Sequence, residues 1–155
     1  MSLYYASGSK TTTLDPEQLR AGLYAALDQL GPRQKVLALP PDFTRFHSLA
    51  GPLTRFVYDY YGDRLTDIHP AIGTHTPMTA PQLDEMFPGV PHSLFRVHDW
   101  RNGITTLGEV PGAYVGEVSG GLVDYPWPAQ VANLIAEGGH DLIHSLGQVV
   151  PHEVI

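Results

Sequence analysis

Apolar positions along this chain follow two rhythms. Leu19, Leu23, Ala26, Leu27 and Leu30 recur at three and four residues, the spacing of one face of an α-helix. Ahead of them, Leu14-Asp15-Pro16-Glu17-Gln18 offers an Asp N-cap, Pro at the first helical position and Gln three residues after the cap. Gly31-Pro32 ends that helix. Lys35-Val36-Leu37-Ala38-Leu39-Pro40 is a short apolar run closed by prolines and reads as a buried strand. Leu49, Leu53, Phe56, Val57 and Tyr60 place a second helix over 49–61, with Gly62 as its C-cap. Residues 65–72 and 94–100 read as further strands, separated by a short helix that opens at Thr79-Ala80-Pro81-Gln82 and ends near Pro88-Gly89. The glycine- and valine-rich stretch 105–122 predicts short β segments and turns. Residues 127–137 fit a strand or a helix, and Asp141–Gly147 reads as a last buried strand.

Strands alternating with helices predict an α/β fold, a mostly parallel, Rossmann-like sheet with flanking helices. No internal repeat at a fixed period interrupts that reading. In such sheets ligands bind beyond the carboxyl ends of the strands. The rule directs attention to three loops: Pro41–His47, Gly73–Thr79 and Gly147–Glu153.

Composition narrows the classes. At 155 residues with 43% hydrophobic positions, the chain is long enough for one domain with a core of its own. It has no cysteine, which excludes disulfides, thiolate metal sites and a Cys nucleophile. No apolar run is long enough to span a membrane, and residues 1–10 lack a signal-peptide pattern, so a cytoplasmic location is expected. The net charge is −7 and unevenly placed: Arg101 is the last cation, followed by Glu109, Glu117, Asp124, Glu137, Asp141 and Glu153. A surface without cations cannot replace phosphate counterions, so nucleic acid is not an expected partner. Only 16% of residues are charged, a low value for a free-standing surface.

Each of the three loops carries polar chemistry. Arg45 offers a planar fork for a carboxylate or phosphate. His75 and His152 are each able to exchange a proton near neutral pH. Two such histidines on opposite sides of one carbon can serve either face of a chiral centre. Plainer readings stand beside these. Asp42–Arg45 also fits an Asx-turn with a surface ion pair, and Thr79 with Gln82 fits a helix cap. His140 and His144 have helical metal-pair spacing but fall on a strand without an accompanying carboxylate pattern, so no metal site is assigned there. His92 and His98, Trp100 and Trp127 read as structural.

Taken together, Asp42-Phe43-Thr44-Arg45, Gly73-Thr74-His75-Thr76-Pro77-Met78-Thr79 and Gly147-Gln148-Val149-Val150-Pro151-His152 resemble three loop motifs of the nickel-pincer lactate racemase family, in order and approximate spacing. The resemblance implies a 2-hydroxy-acid racemase or epimerase of two α/β domains, of which residues 1–155 would be most of the N-terminal, catalytic one. It implies a nickel-pincer nucleotide (nickel pyridinium-3,5-bisthiocarboxylic acid mononucleotide) that accepts a hydride from the substrate α-carbon. By the same resemblance His75 and His152 are the paired acid/bases, Arg45 holds the substrate carboxylate, and Asp42, Phe43, Thr44 and Arg45 line the cofactor.

The chain also departs from the family. Family members continue past the third loop into Gly-Phe-Ser-Gly-Gly, a Lys that tethers the cofactor and a His that ligates nickel. Here no Lys follows Lys35 and the sequence stops at Ile155. Phe43 and Phe46 stand where members vary or carry smaller or polar groups, which leaves the hydroxy acid open. The expectation is a truncated domain, inactive alone, binding cofactor only with the missing residues, and with an apolar face open to self-association as a homodimer. The alternative is a non-catalytic ligand-binding or interaction module on the same scaffold. An NAD(P)-dependent dehydrogenase is disfavoured because no Gly-x-Gly-x-x-Gly follows the first strand.

Overall fold

Asp15 caps the first helix as its spacing predicts. Its carboxylate accepts from the Gln18 N–H at 2.8 Å, and Gln18 Oε1 accepts from the Asp15 N–H at 3.0 Å. Helix α1 then runs Pro16–Leu30 and buries Leu27. Strand β1 is Val36–Leu39, α2 is Ala50–Tyr61, β2 is Leu65–Ile68 and α3 is Ala80–Met86. Three more elements, β3 (Ile104–Val110), α4 (Gly112–Val118) and β4 (Trp127–Ala132), precede α5 (Asn133–Glu137) and β5 (Leu142–Ser145). The computed structural model describes residues 2–149. The chain is mixed α/β, with parallel and antiparallel sheets flanked by helices. The sequence reading takes 1–155 as one domain; residues 98–139 form one compact unit, and residues 2–97 with 140–149 form another.

The larger unit is built on a three-stranded parallel sheet in the order β2-β1-β5. Val36, Leu37 and Ala38 are fully buried, which is why the central strand reads as an unbroken apolar run. Leu27 of α1, Val57 and Tyr61 of α2, and Met86 and Phe87 at the end of α3 join Val36, Ala38, Leu65 and Ile68 in one core. Each fully buried Val or Leu in it contributes about 1.5–3 kcal/mol. Gly51 lets α2 approach the end of α3: a Cβ there would lie 1.9 Å from the Met86 carbonyl oxygen.

The smaller unit is an antiparallel pair, β3 with β4, joined through α4 and followed by α5. The turn-rich reading of 105–122 is corrected here, since 104–110 is one continuous strand and 112–118 is helical. Of the glycines that suggest turns, Gly112 instead allows close packing, since a Cβ there would stand 2.7 Å from the Asp124 carbonyl oxygen, while Gly120 and Gly121 do form a turn, at φ 65° and 82°. The ambiguous stretch 127–137 is strand and then helix. The expected strand over 94–100 does not form. Phe95 makes a single parallel bridge to Ile68, Arg96 turns to the Asp67 carboxylate, and Asp99 folds back onto the Arg101 and Asn102 N–H groups. The polar demands of Arg96 and Asp99 outweigh the apolar alternation. The strand expected over 65–72 ends at Ile68, and beyond it Ala71 keeps one bridge to Pro41. Among the described residues no helix is long and apolar enough to cross a membrane.

Candidate functional site

Because β1, β2 and β5 run parallel and adjacent, the segments that follow them emerge at one edge of the sheet. A cavity of about 440 Å³ opens there. Leu39 at the end of β1 and Pro41 just after it line the cavity, with Ala71 after β2, and Ser145, Leu146 and Gly147 at the end of β5. Two of the three sequence-selected loops and the flank of the other therefore meet at one place.

The loop after β1 is a 3-10 helix, Phe43–Ser48, capped by Asp42, whose Oδ1 accepts from the Thr44 N–H at 3.0 Å. The helix is kinked at Arg45 (φ −108°, ψ 32°). Arg45 and Ser48, three residues apart and so eclipsed on a 3-10 helix, both line the cavity. Arg45 is the one charged side chain among the described lining residues. Its guanidinium has no hydrogen-bond or ion-pair partner among the described residues, and it is half-buried. Backbone strain stands next to it: Leu49 joins this loop to α2 at φ 62°, a left-handed conformation that an L-residue with a side chain adopts at a cost.

His75 is set by a turn in which its N–H bonds to the Ile72 carbonyl at 2.9 Å, Ile72 is buried, and Gly73 takes φ 55°. Its Nδ1 lies 2.7 Å from Asp42 Oδ2. Burial pushes the Asp42 carboxyl up, but hydrogen bonds from the Thr44 hydroxyl, His75 and the Thr44 N–H outweigh it and hold the group below its ordinary 3.8. An ionised Asp42 accepts a hydrogen bond from Nδ1–H, which keeps the proton on that nitrogen, so the neutral imidazole carries its lone pair on Nε2. The imidazole itself is exposed. The arrangement is an oriented base with its accepting nitrogen turned outward.

Sequence reasoning selected these residues but missed how they pair. It weighed an Asp42–Arg45 ion pair; the Asx-turn is present, and the carboxylate bonds to His75 instead. Of the four residues expected to line a cofactor, Arg45 lines the cavity. Asp42 spends both oxygens inside the protein, Thr44 is bonded to Asp42, and Phe43 packs on the core and on Phe46, ring centroids 5.3 Å apart. His152 lies outside the described residues. Thr79 and Gln82 form the expected cap, with the Thr79 N–H bonded to Gln82 Oε1 at 2.9 Å. His144 sits on β5, and burial lowers its pKa. A second polar cluster, Asp67 with Arg96 and His140, escaped notice altogether. Its one signal was an Asp inside the apolar strand Leu65-Thr66-Asp67-Ile68.

The residues fit an anionic ligand better than a metal. Among the described residues no group of three His, Cys, Asp or Glu side chains could hold an ion. Lys35, the last lysine, precedes β1 at the end of the strand away from the cavity. The nickel-holding part of the cofactor implied by the sequence resemblance is therefore not matched by these side chains.

No protein-family model matches the chain, and no curated protein matches it. A crystal structure of a Thermotoga maritima protein, a structural-genomics target, is similar, with a TM-score of 0.78 and 27% identity over 90% of this chain. That protein carries no functional name. The match takes in 35% of the Thermotoga chain, so this chain spans about a third of the length of the larger protein whose fold it shares.

Proposed function

We propose that the chain supplies the carboxylate clamp and one acid/base of a 2-hydroxy-acid racemase or epimerase, as part of a larger Rossmann-like, two-domain protein of the lactate-racemase type. The observation that carries the reading is the Asp42–His75 couple, whose Asp42 belongs to the same loop as Arg45, a lining residue of the cavity. Arg45 holds the substrate carboxylate bidentately. His75 Nε2 takes the proton of the substrate hydroxyl, and Asp42 stabilises the imidazolium that results. His152 takes the matching role for the other enantiomer. The nickel-pincer nucleotide that the sequence resemblance implies would supply the hydride chemistry, and the described side chains offer it no nickel ligands.

The gene product carrying this chain, expressed with nickel and the cofactor, is assayed for D/L interconversion of lactate and larger 2-hydroxy acids by chiral chromatography. His75→Ala should lower the rate at least about 10²-fold. Arg45→Lys, which keeps the charge and loses the fork, should raise KM and lower kcat. Parental rates in both variants would refute the reading. If Arg45→Ala abolishes calorimetric binding of a hydroxy acid by a protein that interconverts none, the binding-module alternative holds instead. The half-buried guanidinium, with no hydrogen-bond or ion-pair partner among the described residues, is what favours that alternative.

A further inference from the structure

Residues 98–139 leave the larger unit just after Arg96-Val97 and return to it at His140. Both stems reach the same carboxylate. Arg96 Nε donates to Asp67 Oδ1 at 2.7 Å, and His140 Nε2 stands 2.9 Å from Asp67 Oδ2. The Thr66 hydroxyl donates to that second oxygen at 2.8 Å. Asp67 is 8% exposed and the His140 side chain is fully buried. A charge placed so deep on a parallel strand costs stability unless each oxygen is satisfied, and here each is satisfied from a different stem.

Backbone bonds continue the tie on either side. The Arg96 N–H bonds to the Ile68 carbonyl at 2.8 Å, and the Asp141 N–H bonds to the Lys35 carbonyl at 3.0 Å. The Asp141 carboxylate accepts from the Gln34 and Lys35 N–H groups. The returning stem is preceded by Gly138-Gly139, with Gly139 at φ 66°, a pair able to absorb large backbone rotations.

We infer that Asp67 is a latch that fastens two chain segments distant in sequence, at Arg96 and at His140, to β2, and that its removal loosens both segments together while the sheet beneath stays folded. This stands apart from the racemase reading, since none of these residues is among those lining the cavity.

The test is amide hydrogen exchange on the full chain. Asp67→Ala should speed exchange at Arg96 and Asp141 together by at least about tenfold, with α1 and α2 unchanged. Arg96→Ala should speed the first stem and leave Asp141 near the parental rate; His140→Ala should do the reverse. If Asp67→Ala does not fold, the two stem variants decide. Unchanged exchange at both stems overturns the inference, and so does an equal rise across α1, α2 and the stems, which would make Asp67 a general stabiliser of the core.

Discussion

Replacing Asp42 by Asn keeps the shape of the side chain and removes its charge. The oxygen that caps the 3-10 helix can still accept from the Thr44 N–H, so the cap survives. The other position now presents an NH2 group to His75 Nδ1, 2.7 Å away in the parent. Two donors cannot face each other at that distance. The imidazole therefore moves its proton to Nε2 and accepts at Nδ1. The structural cost is that of weakening a bond to a charged group, about 1–2 kcal/mol, or roughly 3–6 °C in Tm at this size. The chemical cost is larger, because Nε2 is no longer a base. A wrong-tautomer histidine in a comparable couple loses on the order of 10⁴ in kcat. Asp42→Ala differs in kind: it removes the cap as well, for about 2–3 kcal/mol, and leaves His75 unoriented. Long-range ¹⁵N–¹H NMR reads the tautomer of His75 directly at a pH where the ring is neutral, with no cofactor or substrate present. Parent protein should give the Nδ1–H form and Asp42→Asn the Nε2–H form. A parent that already holds the proton on Nε2, or a variant whose tautomer does not change, would refute the reasoning.

Further outcomes follow from strain and burial. His144 is pushed below its ordinary 6.5 by burial, so the stability it allows is complete above 6.5 and is lost as pH falls toward its lower folded value. Asp42 and Asp67 lie below 3.8, and what they contribute is lost only as pH falls through that lower range. Thermal melts from pH 7 to 5 should show the first loss, and His144→Leu should flatten it; an equally steep slope in the variant would rule out His144 as its source. Leu49→Gly removes the side-chain penalty at φ 62° and forfeits little packing, since Leu49 is 50% exposed. It should raise stability by about 1 kcal/mol, read as Cm in urea, and a lowered Cm would show that Leu49 is held by contacts rather than strained.

The elements that sequence made legible are those in which local chemistry and tertiary packing agree. The α1 cap and the buried β1 run each need only their own residues to be recognised; the 141–147 run is a strand as expected, but it is β5 at the sheet edge, with Ile143 40% exposed rather than buried. The stretch 94–100 misled because its apolar alternation is real but Arg96 and Asp99 have stronger polar obligations, one to a residue 29 positions earlier. The helix at 112–118 was hidden by its glycines, of which Gly112 serves a close approach visible only once residues 124–126 are packed against it. In the site, residue types announced a cation and a base. The pairing of Asp42 with His75 spans 33 positions, and no local rule selects it over the nearer Arg45.

The strand order also bears on how the chain acquires its structure. β1 sits at the centre of its sheet, yet one of its two neighbours is β5, and the bonds that seat it join Lys35 to Asp141 across 106 positions. Closing a loop of that length from an unfolded chain costs about 4 kcal/mol of entropy. The β3–β4 pair forms within that loop by much shorter-range contacts, and its early formation shortens the distance left to close. On the ribosome, β1 and β2 leave the tunnel long before β5, so the central strand spends the intervening synthesis with one edge open. Sequence changes in the β3–β4 pair, none of them in the parallel sheet, thereby set how long that edge stays exposed to other chains.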